Sequence, residues 1–253
     1  MQHKLMFMQW GQLAGGLTEE PRRYTADNRE SETWHAPVVR PAVPASGAPV
    51  PTRTGDNLDL RVPEFVDAEG HHGAAGGARS RTPSWRGSAA TGSRSPTSRT
   101  AGRRWRRPPG GPLPPGRDHP AVLGRVALRH PDRHGLGVHL GSTGGRRRHP
   151  LSLLQVDYRV PADLVGTVRG NRPHQLGLTV RQPTGCPGRP APAFGCRSPS
   201  TGRHLAQRAD HGSGTRYTAT VPAGRGTVSL RVRAADRAGN TVDQTVLQAY
   251  GLR

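Results

Sequence analysis

The sequence has one lysine, Lys4, no isoleucine, and aromatic residues at only 4% of its 253 positions. Hydrophobic residues make up 32%, a thin supply for a core. No run of 18 apolar residues occurs, which excludes a membrane-spanning helix. Cysteine is almost missing as well. Cys186 and Cys196 can close one short loop at most, and their spacing matches neither a zinc ribbon nor a CxxC redox motif. The opening residues, MQHKLMFMQWGQLAGG, carry one Lys and a broken apolar run too short for the h-region of an export leader.

Arginine, glycine and proline fill the space. There are 34 Gly and 25 Pro without a collagen period, the composition of disordered or low-complexity chain. The formal charge is +20, which on its own suits a nucleic-acid partner, because clustered Arg neutralises phosphate and releases counterions. The charge is concentrated in one block: residues 71–150 carry 16 basic and 2 acidic groups, whereas residues 1–70 carry 7 and 10. In the same block only ten of 80 residues are Val, Leu, Phe, Met, Trp or Tyr. That is too little apolar surface to offset chain entropy, so 71–150 is expected to be disordered.

Elsewhere the pattern is that of strands. Residues 24–70 read as extended chain with turns, anchored by Tyr24 and Trp34 and crossed by a Pro-rich connector from Val38 to Pro51. Asp59 to Val66 alternates polar and apolar residues and predicts a strand. Leu151 to Val160 and His174 to Arg181 predict two more. After an aperiodic stretch at 183–212 come Arg216 to Val221, Thr227 to Ala234 and Thr241 to Tyr250. In the Thr227 run Val228, Leu230, Val232 and Ala234 share one face, with Ser229, Arg231 and Arg233 on the other. Asp236 to Asn240, DRAGN, is turn chemistry. Short strands at this spacing predict a β-sandwich.

The pieces LSLLQVDYRVPADL (151–164), RPHQLGLTVRQ (172–182) and RYTATVPAGRGTVSLRVRAADRAGNTVDQTVLQAYGL (216–252) resemble the post-catalytic, C-terminal region of secreted subtilisin-like serine peptidases from high-GC actinobacteria. VVRPAVPASG through RTGDNLDLRVPEFVDAEGH (38–71) is similar to an earlier part of that region. Together they cover about half the chain, and their order is more specific than any one piece. The resemblance implies a non-catalytic accessory module of a secreted endopeptidase, extracellular in the family, with no activity of its own. The family's catalytic motifs, of the D-T/S-G, H-G-T-H and G-T-S-M-A kind, do not occur here.

The stretches between these pieces have the composition of a GC-rich gene read in a shifted frame, rich in Arg, Gly, Pro, Ala and Ser and poor in Ile and Lys. Back-translated with G or C in third positions and read one nucleotide later, Arg203 to His211 becomes GTWRSARTT, a strand-like sequence. Asp118 to Leu140, without an aromatic residue as written, acquires three tryptophans. The expected organisation is thus a strand-bearing remnant of an accessory β module at 1–70, a disordered and out-of-frame basic segment at 71–150, and a partial immunoglobulin-like or fibronectin-type β-sandwich at 151–253, interrupted at 183–212. The fold class is mostly β.

Several residues invite sharper readings. Ser142, in GSTGG, only superficially resembles a nucleophile loop, and no G-x-S-x-G is present. Cys186, Cys196, His204 and His211 can be drawn as a zinc set, but with spacings that fit no standard pattern. His71 and His72 read as a solvated loop end. Asp157, Asp163, Asp236 and Asn240 suit calcium in residue type, yet Asp236 and Asn240 are better placed as turn residues. Tyr158 and Tyr250 read as packing residues. No catalytic, cofactor or metal residue is expected, nor any specific partner, and the chain is expected to be a monomer. The alternative is a disordered nucleic-acid binder acting through Arg79 to Arg107, with Trp105 stacking on a base.

Overall fold

A computed structural model of the chain describes residues 4–9, 12–19, 21, 23, 25, 27, 29–46, 50–54, 57–60, 62–63, 65–75, 147–186 and 215–253, together with the strand backbones at 86–89, 104–106, 124–130, 134–140, 193–197 and 206–209. Every regular element among them is a strand. The first half holds β1 (Lys4–Gln9), β2 (Gln12–Thr18), β3 (Thr52–Thr54), β4 (Asn57–Asp59), β5 (Phe65–Val66), β6 (His72–Ala75), β7 (Arg86–Ala89), β8 (Arg104–Arg106), β9 (Gly124–His130) and β10 (His134–Leu140). The second holds β11 (Arg148–Pro150), β12 (Gln155–Arg159), β13 (Thr167–Val168), β14 (His174–Arg181), β15 (Ala193–Arg197), β16 (Ala206–Ala209), β17 (Arg216–Val221), β18 (Gly226–Ala235) and β19 (Thr241–Leu252).

They form open sheets ordered β1-β2-β6-β5, β11-β3-β4-β8, β12-β14-β17-β16 and β15-β18-β19-β10-β9-β7, with β13 parallel to the end of β19. The last two sheets share one core. Strict alternation aims Leu176, Leu178 and Val180 of β14 and Tyr217, Ala219 and Val221 of β17 at Val228, Leu230, Val232 and Ala234 of β18, all of them buried. Polar links join the layers: Tyr158 Oη donates to Gln244 Oε1 at 2.7 Å, and Gln182 Nε2 to Asp236 Oδ2 at 2.8 Å. On the outer face of the β18–β19 hairpin, Asp243 accepts from both Arg231 and Arg233.

The predicted strands at 174–181 and 216–221 coincide with β14 and β17, and those at 227–234 and 241–250 extend slightly in β18 and β19. Asp236 caps the turn between the last two: its Oδ1 accepts from Asn240 N and its Oδ2 from Asn240 Nδ2. One irregularity was invisible in the pattern. Val228 pairs with Tyr250 and Leu230 with Val246, so Leu247, Gln248 and Ala249 bulge opposite Ser229. Gln248 sits at φ 50°, a left-handed conformation costly for a side-chain-bearing residue, and its N–H is held by Ser229 Oγ at 3.1 Å.

Two predicted strands are corrected. Asp59 to Val66 is not one strand: β4 ends at Asp59 and β5 begins at Phe65, in different sheets, with Pro63 between them unable to donate to a ladder. Leu151 to Val160 contains a strand only at Gln155–Arg159. Leu153 and Leu154 are both fully buried, which a single strand facing one core cannot accommodate, and Leu153 N instead turns back to Leu151 O at 2.7 Å.

The segments without legible periodicity contribute strand backbones as well. β9 and β10 form a hairpin that joins β19 through Gln244 and its neighbours. β15 and β16, within 183–212, flank β18 and β17 at sheet edges. Ladder hydrogen bonds are made by any backbone, so they need no side-chain alternation. The rest of the expected disordered stretch at 71–150, chiefly 76–85, 90–103, 107–123, 131–133 and 141–146, lies outside the described residues.

The Pro-rich connector is not a linker. Val38, Val43 and Val62 belong to the same core as the C-terminal strands, and Arg40 fixes them there. Arg40 forms an antiparallel bridge with Val66, its N donating to Val66 O at 3.0 Å and its O accepting from Val66 N at 2.8 Å. The residue is 3% exposed, and its guanidinium donates to five oxygens: Val156 O, Val38 O, Val66 O, Asp67 O and Asp157 Oδ1. It also lies over the Tyr158 ring at 5.3 Å. Arg181 grips Asp157 from the other side and donates to Val43 O at 2.6 Å. Burial lowers the Arg40 pKa and Asp157 opposes that shift.

Arg40→Ala strands those acceptors and the Asp157 carboxylate, so it is expected to cost about 3–5 kcal/mol in a urea titration followed by circular dichroism. Arg40→Lys should lose most of the same stability, since one ammonium cannot serve acceptors placed around a planar fork. A loss below about 1 kcal/mol, the scale of an exposed ion pair, contradicts this assignment.

Candidate functional site

Away from Arg40, a cluster of polar side chains surrounds His71. Residues 67–71 form a tight turn in which Asp67 Oδ1 accepts from the backbone N of Glu69 and of His71, at 3.0 and 2.9 Å. The other carboxylate oxygen meets His71 Nδ1 at 2.8 Å, with both side chains sealed from solvent. Trp34 stacks on the imidazole with ring centroids 4.0 Å apart and planes 11° off parallel. Glu19, at the end of β2, and Glu32, two residues before Trp34, bring carboxylate oxygens to this histidine, the three ligand atoms lying within 4.8 Å of one another. Glu19 is buried and Glu32 half-buried. The expectation of a solvated loop end is thus corrected for His71, which is 2% exposed. His72, next to it, is half-buried in β6 with Nδ1 3.4 Å from Gly70 O.

An imidazole fixed by a carboxylate is half of what a nucleophile needs. Here its surroundings are two further carboxylates and an indole, a donor set suited to holding a cation. Sequence reasoning missed the cluster because Glu19, Glu32 and His71 are far apart in the chain and follow no spacing rule. The adjacent pair in Asp67–His71, four residues apart across a Gly70 with φ 93°, was the one local signal.

A second polar pair bridges the two large sheets. His174 Nε2 lies 2.9 Å from Tyr250 Oη, the rings meeting edge to face at 5.6 Å. His174 Nδ1 is buried and meets no hydrogen-bond partner among the described residues. Burial lowers the His174 pKa. An open cleft of about 500 Å³ lies nearby, between His35 and Pro37 on one side and the bulge at Val246, Leu247, Gln248 and Tyr250 on the other.

The four residues of calcium-compatible type are dispersed over separate networks. Asp157 lies between Arg40 and Arg181; Asp163 is occupied by Thr167 and Arg253; Asp236 and Asn240 serve their own turn and Gln182. Thr167 hydrogen bonds hold the Asp163 carboxyl below its usual range. Tyr158 and Tyr250 are buried packing residues with engaged hydroxyls. Cys186 is a free thiol whose Sγ lies 3.3 Å from Leu151 O, and burial pushes its pKa up. Ser142, His204, His211 and Tyr24 lie outside the described residues, as does the Cys196 side chain, while of Arg79 to Arg107 only the strand backbones of β7 and β8 are described. Among the described residues no helix is long and apolar enough to cross a membrane.

No protein-family description, no curated protein and no solved structure matches this chain.

Because folding depresses the His174 pKa, the unfolded chain takes up a proton at higher pH than the folded one. The histidine's contribution is therefore fully present above the unfolded value of about 6.5 and is lost as pH falls below it and through the lower folded pKa. Thermal midpoints measured from pH 8 to 5 should decline below that point. In His174→Phe, which keeps the ring contact, the decline should be shallower; an unchanged profile counts against the assignment.

Proposed function

We propose that the chain is a non-catalytic accessory β module, derived from the post-catalytic region of a secreted subtilisin-like serine peptidase, whose coding frame is displaced across about 71–150 and 183–212. The observation that carries this reading is the composition of the core. Among the described residues, its buried members fall at Val38 to Val62, Leu151 to Val180 and Tyr217 to Tyr250, within or immediately between the four pieces that carry the resemblance. Segments remote in sequence yet jointly required for one core are what an ancestral module leaves behind when the sequence between them changes.

The two sheets that share this core support an immunoglobulin-like or fibronectin-type arrangement, with β14, β17, β18 and β19 as its centre. Of the described strands in the intervening segments, β15 and β16 form outer strands beside this centre, and β10, β9 and β7 follow in series beyond β19. Sequence that supplies edges can be replaced without unpacking the centre. The module's role on this reading is structural, favouring folding, stability or surface attachment of a neighbouring peptidase domain.

The nucleotide sequence tests it. The frame one nucleotide later should be open across codons 118–140 and 203–211 and encode tryptophans there, and DNA upstream should encode the peptidase motifs missing here. Stops or an absence of tryptophan in that frame overturn the reading. If instead the purified chain shifts RNA and releases it steeply with salt, the nucleic-acid alternative takes its place.

A further inference from the structure

We propose that Glu19, Glu32 and His71 form a divalent transition-metal site, zinc being the best-suited ion, which clips three separate segments of the N-terminal region together. The proposal does not depend on the peptidase ancestry.

Three features converge. The donor set is one imidazole nitrogen and two carboxylates. Mixed nitrogen and oxygen ligation suits zinc and its first-row neighbours, whereas calcium and magnesium favour all-oxygen shells. The orientation of the histidine is already set: Asp67 Oδ2 engages Nδ1 at 2.8 Å, leaving Nε2 as the nitrogen for a metal. Asp67 is itself anchored by two backbone N–H groups. A carboxylate behind a metal-binding imidazole fixes its tautomer and raises its basicity. Trp34, stacked at 4.0 Å, holds the ring plane.

The geometry needs only a small adjustment. Bonds of about 2.1 Å in a tetrahedral shell place donors roughly 3.4 Å apart, and the three ligand atoms lie within 4.8 Å of one another. Three protein ligands leave a fourth position to water.

Occupancy would join the end of β2, the 29–36 segment and the turn leading into β6. β2 and β6 are already paired through Thr18 and His72, so the metal would fasten the Glu32 and Trp34 segment over that ladder.

The test uses the full chain, stripped with chelator, in a Cys186→Ser, Cys196→Ser background that removes thiolate competition. Titration with zinc chloride by calorimetry should give one tight equivalent, and cobalt substitution should give visible d–d bands. His71→Ala and Glu32→Gln should each abolish that equivalent or weaken it at least tenfold. Asp67→Asn should weaken it about 10- to 100-fold. His149→Ala, at an exposed histidine elsewhere, should change nothing. Circular dichroism separates lost binding from lost fold, and Glu32→Gln, a half-buried isosteric change, keeps the test valid if His71→Ala fails to fold. Absence of a tight equivalent, or an equivalent unaffected by Glu32→Gln and Asp67→Asn, overturns the proposal.

Discussion

A guanidinium removed from water is tolerable only when every hydrogen finds an acceptor and the charge finds a partner. Arg40 answers these demands with carbonyl oxygens from three chain segments, Val38, Val66 with Asp67, and Val156, and with the carboxylate of Asp157 beside Val156. The arrangement works in one register alone. Sliding the 38–43 segment by a residue would leave the charge unpaired and turn Val38 and Val43 out of the core. The segments from Val38 to Asp67 described above are therefore attached to the C-terminal sheets by a polar lock and an apolar seal acting together. Gln155 adds to the lock, its Oε1 accepting from Val43 N at 2.9 Å.

With that attachment in place, the remaining geometry follows. Val66 is held against Arg40, which sets the start of the 67–71 turn, and the turn sets Asp67 and His71. The His71 cluster thus inherits its position from the same contacts that stitch the core. Across the molecule His174 and Tyr250 perform a smaller version of the task, joining β14 to β19 without a charge. The two histidines differ in environment: one is backed by a carboxylate, the other sits where protonation would be uncompensated.

What was legible in the sequence was period two. β14, β17, β18 and β19 announce themselves because each presents one face to a single core, so burial imposes alternation directly on the residues. Leu151 to Leu154 misled for the opposite reason: four apolar or small residues in a row suit a strand, but consecutive burial of Leu153 and Leu154 requires a turn. The connector from Val38 to Pro51 misled through its prolines. They limit hydrogen bonding, yet they do not prevent valines between them from packing. Arg40 and His71 were illegible because their roles depend on partners more than a hundred residues away or on acids in unrelated segments. The bulge at Gln248 was hidden in a run of good strand formers.

The central structural claim is that residues 38–71 and the C-terminal sheets are one cooperative body joined through Arg40. Native-state hydrogen exchange measures this directly, since amides in a single cooperative unit open together at the global unfolding free energy. The amides of Arg40 and Val66 should share the protection of those in β14 and β17. Rapid exchange at Arg40 and Val66 alongside slow exchange in β14 and β17 would contradict the account.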